Sequence, residues 1–171
     1  MNLRTIMIFP EFENMEVINQ IRKQYDPLAN LVNPHITLVF PFQSEMSNAE
    51  LFDVLERRLA KIKPFEIELC GFTKQEDKYG NYLFLNIGKG KAEINDIHQI
   101  LYDNEFKEFD LGLDYVPHMT VGNLPEIQAL NEAYESVKDI DSKFNATIDK
   151  IYVEMIGDND ESIIVVEKIL G

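Results

Sequence analysis

Pro34-His35-Ile36-Thr37-Leu38 occurs a second time in this chain, as Pro117-His118-Met119-Thr120-Val121. The two copies differ only at their third and fifth positions, where both carry an apolar residue. Two of the three histidines of the chain therefore occupy one pattern, Pro-His-x-Thr-x. A duplicated pattern that contains histidine indicates a shared role, so we place these two segments at the centre of the fold and of the site.

Both copies are predicted to be β-strands with one polar and one apolar face. Residues i and i+2 of a strand point to the same face, so His35 shares a face with Thr37, and His118 shares a face with Thr120. The opposite face of the first strand carries Ile36, Leu38 and Phe40. We expect helices to cover the apolar face of the sheet and the polar face to line a cleft.

Composition limits the class of protein. With 171 residues, of which 45% are apolar, the chain is predicted to form a single domain over residues 1–171. A net charge of −14 argues against an extended nucleic-acid surface, which needs continuous Lys and Arg, but allows a small phosphate ester in a local pocket. The single cysteine, Cys70, excludes an internal disulfide, and we interpret it as an inert buried thiol. The apolar start from Ile6 to Pro10 is too short for a membrane segment, so a cytoplasmic protein without a membrane partner is expected.

Apolar periodicity, caps and turns predict the remaining elements. Ser47 followed by Glu50 is a capping box, and the helix after it carries the apolar stripe Leu51, Phe52, Leu55, Leu59 and Ile62. The other predicted elements are a buried strand from Leu3 to Phe9, a helix capped by Asn14 and limited by Pro27, a hairpin from Phe65 to Ile87 with its turn near Lys78 to Asn81, helices from Ala92 to Asn104 and from about Glu126 to Val137, and a hairpin made of Phe144 to Ile156 and Ser162 to Ile169.

The order of these elements predicts an internal repeat. Each motif strand is followed by a helix and then by a hairpin, over about 35–87 and again over about 118–170. We therefore predict an α+β fold of two pseudo-symmetric lobes, each an antiparallel sheet with helices on its outer face. The two motif strands should lie side by side, so that both histidines face one central cleft.

Two histidines in one cleft suit transfer at phosphorus. Histidine titrates near neutrality, so one imidazole can deprotonate the attacking hydroxyl or water while the other protonates the leaving oxygen, and no metal is required. The hydroxyls of Thr37 and Thr120 can hold the non-bridging phosphate oxygens. Such a pair of groups predicts a bell-shaped dependence of kcat/KM on pH.

The paired His-x-Thr-x motifs, each on a strand in one half of a chain of this size, resemble the two-histidine (2H) phosphoesterase superfamily, which includes 2′-5′ RNA ligases and 2′,3′-cyclic phosphodiesterases. The resemblance implies metal-independent and cofactor-free action on 2′,3′-cyclic or 2′-5′ phosphodiesters, with His35 and His118 as acid and base and with Thr37 and Thr120 binding phosphate. Many members carry a basic residue on the first strand, and Arg4 is a loose counterpart of it. The acidic composition favours a mononucleotide or a short RNA end over long RNA. We expect a monomer.

Several alternatives remain open on sequence alone. Arg4 could clamp phosphate or pair with an acidic residue, and Tyr115 could flank a base or ribose or simply pack in the core. A zinc site is weakly supported, because no His-x-His or His-Glu-x-x-His spacing occurs and nothing selects Asp114 as a third ligand. The third histidine, His98, is interpreted as solvated surface on a helix. A non-catalytic nucleotide-binding module with the same cleft is the alternative function, and ligation, the reverse of hydrolysis, needs no further residue.

Overall fold

A computed structural model describes residues 3–171 of the chain. The strands in this part are β1 (Leu3–Ile8), β2 (Ile36–Gln43), β3 (Phe65–Asp77), β4 (Gly80–Ile87), β5 (His118–Leu124), β6 (Phe144–Ile148), β7 (Lys150–Ile156) and β8 (Ser162–Ile169). The helices are α1 (Met15–Tyr25), α2 (Asn48–Arg58), α3 (Lys91–Tyr102) and α4 (Ile127–Val137), with a short 3-10 helix at Lys107–Phe109.

All the strands form one antiparallel sheet in the order β6-β3-β4-β5-β2-β1-β7-β8. The predicted α+β class is confirmed, and the two lobes are the four-stranded halves of this continuous sheet. The halves meet where β2 lies beside β5, through one register pair that joins Ile36 to Met119. The two motif strands are therefore neighbours at the centre of the molecule, as predicted.

Each hairpin crosses to the half that holds the other motif strand. The β3–β4 hairpin follows β2 in the chain, yet β4 pairs with β5. The β7–β8 hairpin follows β5, yet β7 pairs with β1, which in turn pairs with β2. Each half of the sheet thus contains one motif strand and the hairpin that follows the other motif strand in sequence.

The predicted continuous strand from Phe144 to Ile156 is wrong, because the chain changes partners at Asp149. Ile148, the last residue of β6, pairs with Phe65 in one half of the sheet. Lys150, the first residue of β7, pairs with Ile169 in the other half. The two segments therefore belong to different halves of the sheet and connect them through the single residue Asp149.

One face of the sheet is buried beneath the helices and the other is open. Along β4, Leu83, Leu85 and Ile87 are buried, whereas the residues between them are half-buried. All four helices contribute side chains to one hydrophobic core that also contains these residues. The open face is the one on which a cleft between the halves can form.

Most helix ends follow the sequence signals. The Ser47–Glu50 capping box is present at α2, and α1 ends at Tyr25, two residues before Pro27. Phe52 departs from the predicted apolar stripe of α2, since it is 40% exposed and Val54 is buried instead. Asn14 occupies the cap position of α1, but its side chain donates to the carbonyl of Lys143.

Irregular pairing between β1 and β2 changes which β2 residues are buried, compared with the alternation that the sequence predicts. The register shifts on either side of Ile6, which breaks the alternation along β2. Val39 is consequently buried, and Phe40, predicted to share the apolar face, is only half-buried. Within residues 3–171, none of the helices has the length and apolar character needed to cross a membrane.

Candidate active site

The register between β2 and β5 brings the four motif side chains together. The strands are antiparallel and Ile36 pairs with Met119, so one step outward puts His35 in line with Thr120 and Thr37 in line with His118. Ile36 and Met119 themselves are fully buried on the core side of the sheet. The histidines and threonines alternate with them and are half-buried on the open face. Each histidine therefore lies across the seam from the threonine of the other motif.

Both imidazole rings are anchored in the same way. Nδ1 of His35 lies 2.8 Å from the carbonyl oxygen of Asn33, and Nδ1 of His118 lies 2.7 Å from that of Val116. A carbonyl only accepts hydrogen bonds, so Nδ1 carries the proton in each ring and Nε2 of the neutral ring is left with its lone pair. Within residues 3–171, neither Nε2 atom makes a hydrogen bond. In the part of the chain that the structure describes, Nε2 of each ring is thus left available to a ligand.

The proline of each motif explains this shared anchoring. The acceptor carbonyl belongs to the residue before proline in both copies. Proline fixes its own φ and disfavours helix in the residue before it, so it restricts the segment that joins the acceptor to the histidine. The repeated Pro-His dipeptide therefore sets the ring orientation at both positions.

Burial lowers the pKa of both motif histidines. For His35, desolvation is the main cause; the bond to Asn33 opposes it, and the buried Arg22 and Asp26 act in opposite directions. For His118, desolvation is again the main cause, the bond to Val116 opposes it, and the positive charge of His35 lowers the pKa further. The two rings are thus close enough for the charge on one to disfavour charge on the other.

Aromatic rings flank each imidazole, and sequence analysis did not single them out. Phe84 stacks on His118 with a centroid separation of 3.6 Å and an angle of 18°. Phe9 lies 6.1 Å from the ring of His35 and contacts Tyr152 edge-on at 5.4 Å. Phe84 reaches its place because it pairs with Thr120, a long-range contact that leaves no local signal in the sequence.

Three side chains outside the motifs, His98, Tyr102 and Tyr115, hydrogen-bond to the backbone of β2, and we call them the seam cluster. The Tyr115 hydroxyl donates to the Thr37 carbonyl at 2.7 Å, and His98 Nδ1 donates to the Leu38 carbonyl at 2.7 Å. The Tyr102 hydroxyl accepts from the amide of Phe40 at 3.1 Å. These side chains bond to the part of β2 that follows Ile36, the residue that pairs with β5.

The interpretation of His98 as solvated surface is wrong. Its ring is half-buried and lies parallel to Tyr115, with centroids 3.5 Å apart and an angle of 3°. Burial lowers its pKa. The residue looked like surface in sequence because its hydrogen-bond acceptor, Leu38, is 60 positions away.

Tyr115 lies beside the first motif, with its hydroxyl already used by Thr37. Burial raises the pKa of this hydroxyl well above its usual value. Its ring packs between His98 and Phe40, edge-on to the latter at 6.4 Å. These contacts make Tyr115 a support of the motif strand.

The structure does not bring Arg4 to the histidines. Ile8 of β1 lies opposite Ile36, next to His35, and Arg4 is four residues earlier, about 13 Å along the strand. The Arg4 guanidinium is buried and donates to the Ser44 carbonyl at 3.4 Å and to Asn48 Oδ1 at 3.2 Å. Arg4 therefore ties β1 to the β2–α2 connection.

No metal-binding cluster accompanies the motifs in the part of the chain that the structure describes. Within residues 3–171, no three His, Cys, Asp or Glu side chains converge as the ligands of an ion would. The arrangement offers instead two imidazoles with free Nε2 atoms and two hydroxyls on one open face, which is suited to proton transfer on either side of a phosphorus atom.

Paired His-x-Thr motifs on adjacent central strands of a two-lobed α+β sheet define the two-histidine class of phosphoesterase. The family model described as the 2′-5′ RNA ligase superfamily matches residues 9–159. The chain belongs to this superfamily.

Relatives in sequence and in structure agree with this placement. A protein of Geobacillus kaustophilus, named provisionally as a phosphoesterase, is 29% identical over 86% of this chain and 84% of its own length. A protein of Geobacillus thermodenitrificans with the same provisional name is 31% identical over the same shares. Escherichia coli LigT in complex with 3′-AMP has the same fold, with a TM-score of 0.64 and 14% identity over 99% of this chain and 98% of LigT. Usb1 of Kluyveromyces marxianus matches with a TM-score of 0.56 and 10% identity over 96% and 97%.

Proposed function

We propose that the chain hydrolyses 2′,3′-cyclic phosphates or 2′-5′ phosphodiester bonds of nucleotides or short RNA ends, by metal-independent acid/base catalysis with His35 and His118. The observation that carries this proposal is the identical anchoring of the two rings. Each Nδ1 donates to a backbone carbonyl, and each Nε2 makes no hydrogen bond to the residues that the structure describes. An acid and a base with the same orientation suit in-line displacement, which needs one proton transfer on each side of phosphorus.

For a 2′,3′-cyclic phosphate, the neutral imidazole accepts a proton from water as the water oxygen bonds to phosphorus. The protonated imidazole gives its proton to the 2′ or 3′ oxygen as the bond from that oxygen to phosphorus breaks. The product is a nucleoside monophosphate, and the two histidines exchange protonation states. Ligation follows the same steps with a 5′-hydroxyl in place of water, and their reverse cleaves the 2′-5′ linkage to leave a cyclic phosphate and a 5′-hydroxyl, so neither reaction needs an additional residue.

The threonines are proposed to hold the phosphate. In the register of β2 and β5, each hydroxyl is in line with the histidine of the other motif, so a phosphate between the imidazoles has a donor on both sides. Donors aimed at the non-bridging oxygens stabilise the charge that develops in the transition state.

A small substrate fits the charge of the molecule. A net charge of −14 opposes binding along a polyanion, whereas one phosphate can be held by two hydroxyls and a protonated imidazole. LigT, which shares the fold, has been solved with ATP, 3′-AMP and NADP+. We therefore propose nucleotides and short RNA ends as the substrate class.

The test is turnover of the four nucleoside 2′,3′-cyclic monophosphates and of 2′-5′-linked dinucleotides, with and without EDTA. The wild type is compared with a double variant, His35→Ala/His118→Ala, whose folding is checked by circular dichroism. We expect turnover that EDTA does not change and that the folded double variant lacks. Loss of activity in EDTA, or equal activity in the double variant, contradicts the proposal. Nucleotide binding without turnover across the panel favours the non-catalytic binding module.

A further inference from the structure

A cavity of about 480 Å³ lies beside the first motif. Its walls are formed by α1, the segment 29–34 that leads into His35, and the β7 and β8 strands at one side of the sheet. Two of the lining residues are close to the motif. Pro34 directly precedes His35, and the Phe9 ring lies near the His35 ring. Small-molecule sites in proteins commonly occupy about 300–1,000 Å³, so the cavity is large enough for part of a nucleotide.

Unengaged carboxamides line this cavity. Asn19, Asn30 and Asn33 are among its lining residues, all three are exposed, and none of their side chains makes a hydrogen bond within residues 3–171. A carboxamide presents one acceptor and two donors, and asparagine pairs with the donor and acceptor edge of a base in this way. The cavity therefore carries free groups that can read a planar polar ligand.

The charge of the lining argues against a second phosphate. Among residues 3–171, no Lys or Arg lines the cavity, and Glu11 is its one charged residue. A phosphate here would meet a carboxylate and no cation, which is unfavourable. A neutral heterocycle meets no such penalty.

An aromatic wall completes the cavity. Phe9 and Tyr152 meet edge-on at 5.4 Å, and both line the space. Bases stack on such rings, and this stacking tolerates any base because every base has a π-face. Since Phe9 also lies 6.1 Å from the ring of His35, a base on this wall would be attached to a phosphate near the histidines.

We propose that this cavity binds the nucleobase of the nucleotide whose phosphate reacts between His35 and His118, and that its carboxamides discriminate among bases. This inference rests on the proposed function. Asn33 connects the two parts, because its carbonyl accepts from His35 Nδ1 and the same residue lines the cavity. The equivalent residue of the second motif is Val116, which is 55% exposed. The base is therefore read on the His35 side of the reacting phosphate.

Steady-state kinetics with the four nucleoside 2′,3′-cyclic monophosphates tests base discrimination. Asn30→Ala and Asn33→Ala are compared with Asn145→Ala, a matched control on the exposed surface of β6. We expect kcat/KM of the wild type to be higher for one base than for the others by ~10-fold or more. A bidentate contact to a base discriminates against the wrong base by about this factor. The two cavity variants should lose this preference mainly through a higher KM, and Asn145→Ala should keep it. Equal kcat/KM for all four bases in the wild type overturns the inference and leaves the proposed function intact.

Binding of plain nucleosides separates the two proposals. Adenosine, guanosine, cytidine and uridine lack the phosphate, so they report on the cavity even if the enzyme turns over none of the cyclic nucleotides. We expect at least one of them to shift the side-chain amide NMR signals of Asn19, Asn30 and Asn33, and Tyr152→Ala to abolish the shift. Shifts without turnover support the base site and contradict the proposed function. Absence of any shift up to millimolar nucleoside overturns the base site.

Discussion

At the scale of single residues, the two imidazoles make the same hydrogen bond to a backbone carbonyl, but the side chains around them differ. His118 is stacked on Phe84, whereas His35 has Phe9 at a greater distance and the buried Arg22 and Asp26 nearby. Desolvation nevertheless lowers the pKa of both imidazoles. The hydrogen bond to the backbone carbonyl raises each pKa and offsets part of this effect. Both lowered pKa values favour the neutral form of the two rings near pH 7, and the proposed mechanism requires one of them to be protonated when substrate binds.

The lowered pKa values predict an acid-side pH optimum. Activity is lost as pH falls through the pKa of the base, which must be neutral, and as pH rises through the pKa of the acid, which must be protonated. Since both pKa values lie below the ordinary value of 6.5, kcat/KM should be bell-shaped with its maximum below pH 6.5. A profile of kcat/KM against pH in buffers of constant ionic strength measures this. A maximum above about pH 7.5 would show that burial does not control these groups in solution.

Removing one motif hydroxyl should slow the reaction without unfolding the protein. Thr37→Val and Thr120→Val keep the shape of the side chain and remove the donor to the phosphate. We expect kcat/KM to fall by about 10²-fold for each, as for the loss of one transition-state donor elsewhere. Thr147→Val, on the exposed surface of β6, is the matched control and should be unchanged. Full activity in both motif variants would limit the threonines to a role in the strand.

At the scale of elements, β2 is supported by side chains where a strand partner would normally be. The register between β2 and β5 contains one pair, and the seam cluster of His98, Tyr102 and Tyr115 bonds to the β2 backbone. The region from α3 to the second motif therefore holds the first motif strand in place. This arrangement links the position of Thr37 to residues far from it in the chain.

Tyr115→Phe tests this support. The substitution leaves the Thr37 carbonyl without its donor, and an unsatisfied buried acceptor costs about 1–3 kcal/mol. We expect the free energy of unfolding to fall by about 1–2 kcal/mol in urea titrations and kcat to fall more than KM rises. Tyr79→Phe, at a tyrosine that is 51% exposed, is the control. Unchanged kcat in Tyr115→Phe would show that Thr37 does not depend on this bond.

Local signals predicted elements well, and long-range pairing could not be read from them. The Ser47–Glu50 capping box and the turn before Gly80 are encoded within a few residues, and both were predicted. The break at Asp149 was missed, although the buried apolar positions change from even numbers in β6, Phe144 and Ile148, to odd numbers in β7, Ile151 and Val153. The role of His98 left no local trace, because its partners belong to β2 and to the loop before β5.

At the scale of the whole molecule, the two halves of the sheet exchange hairpins about the motif strands. The duplicated motif predicted that β2 and β5 are neighbours, since only adjacent strands bring both histidines to one cleft. The crossing of each hairpin to the opposite half depends on pairings such as that of Asn86 with His118, which periodicity does not specify. The site that is proposed to bind an anion thus belongs to a chain with a net charge of −14.

This charge predicts an unusual salt dependence. Repulsion between an acidic protein and an anionic substrate weakens as salt screens it, over a Debye length of about 10 Å at 0.1 M. We expect kcat/KM for a short RNA with a 2′,3′-cyclic end to rise between about 0.02 and 0.2 M salt, and to rise less for a mononucleotide. Initial rates at several salt concentrations measure both. A steep fall with salt would indicate a basic binding surface.

The most direct test of paired histidine catalysis compares kcat/KM of the wild type with that of His35→Ala, His118→Ala and the double variant on one cyclic nucleotide. The effects of removing groups that act as a unit are not additive. We therefore expect kcat/KM to fall at least ~10²-fold in each single variant. In the double variant it should fall at most ~10-fold further than in the less active single variant. A single variant that keeps more than about a tenth of wild-type activity would contradict the account, because one histidine would then be sufficient for the reaction.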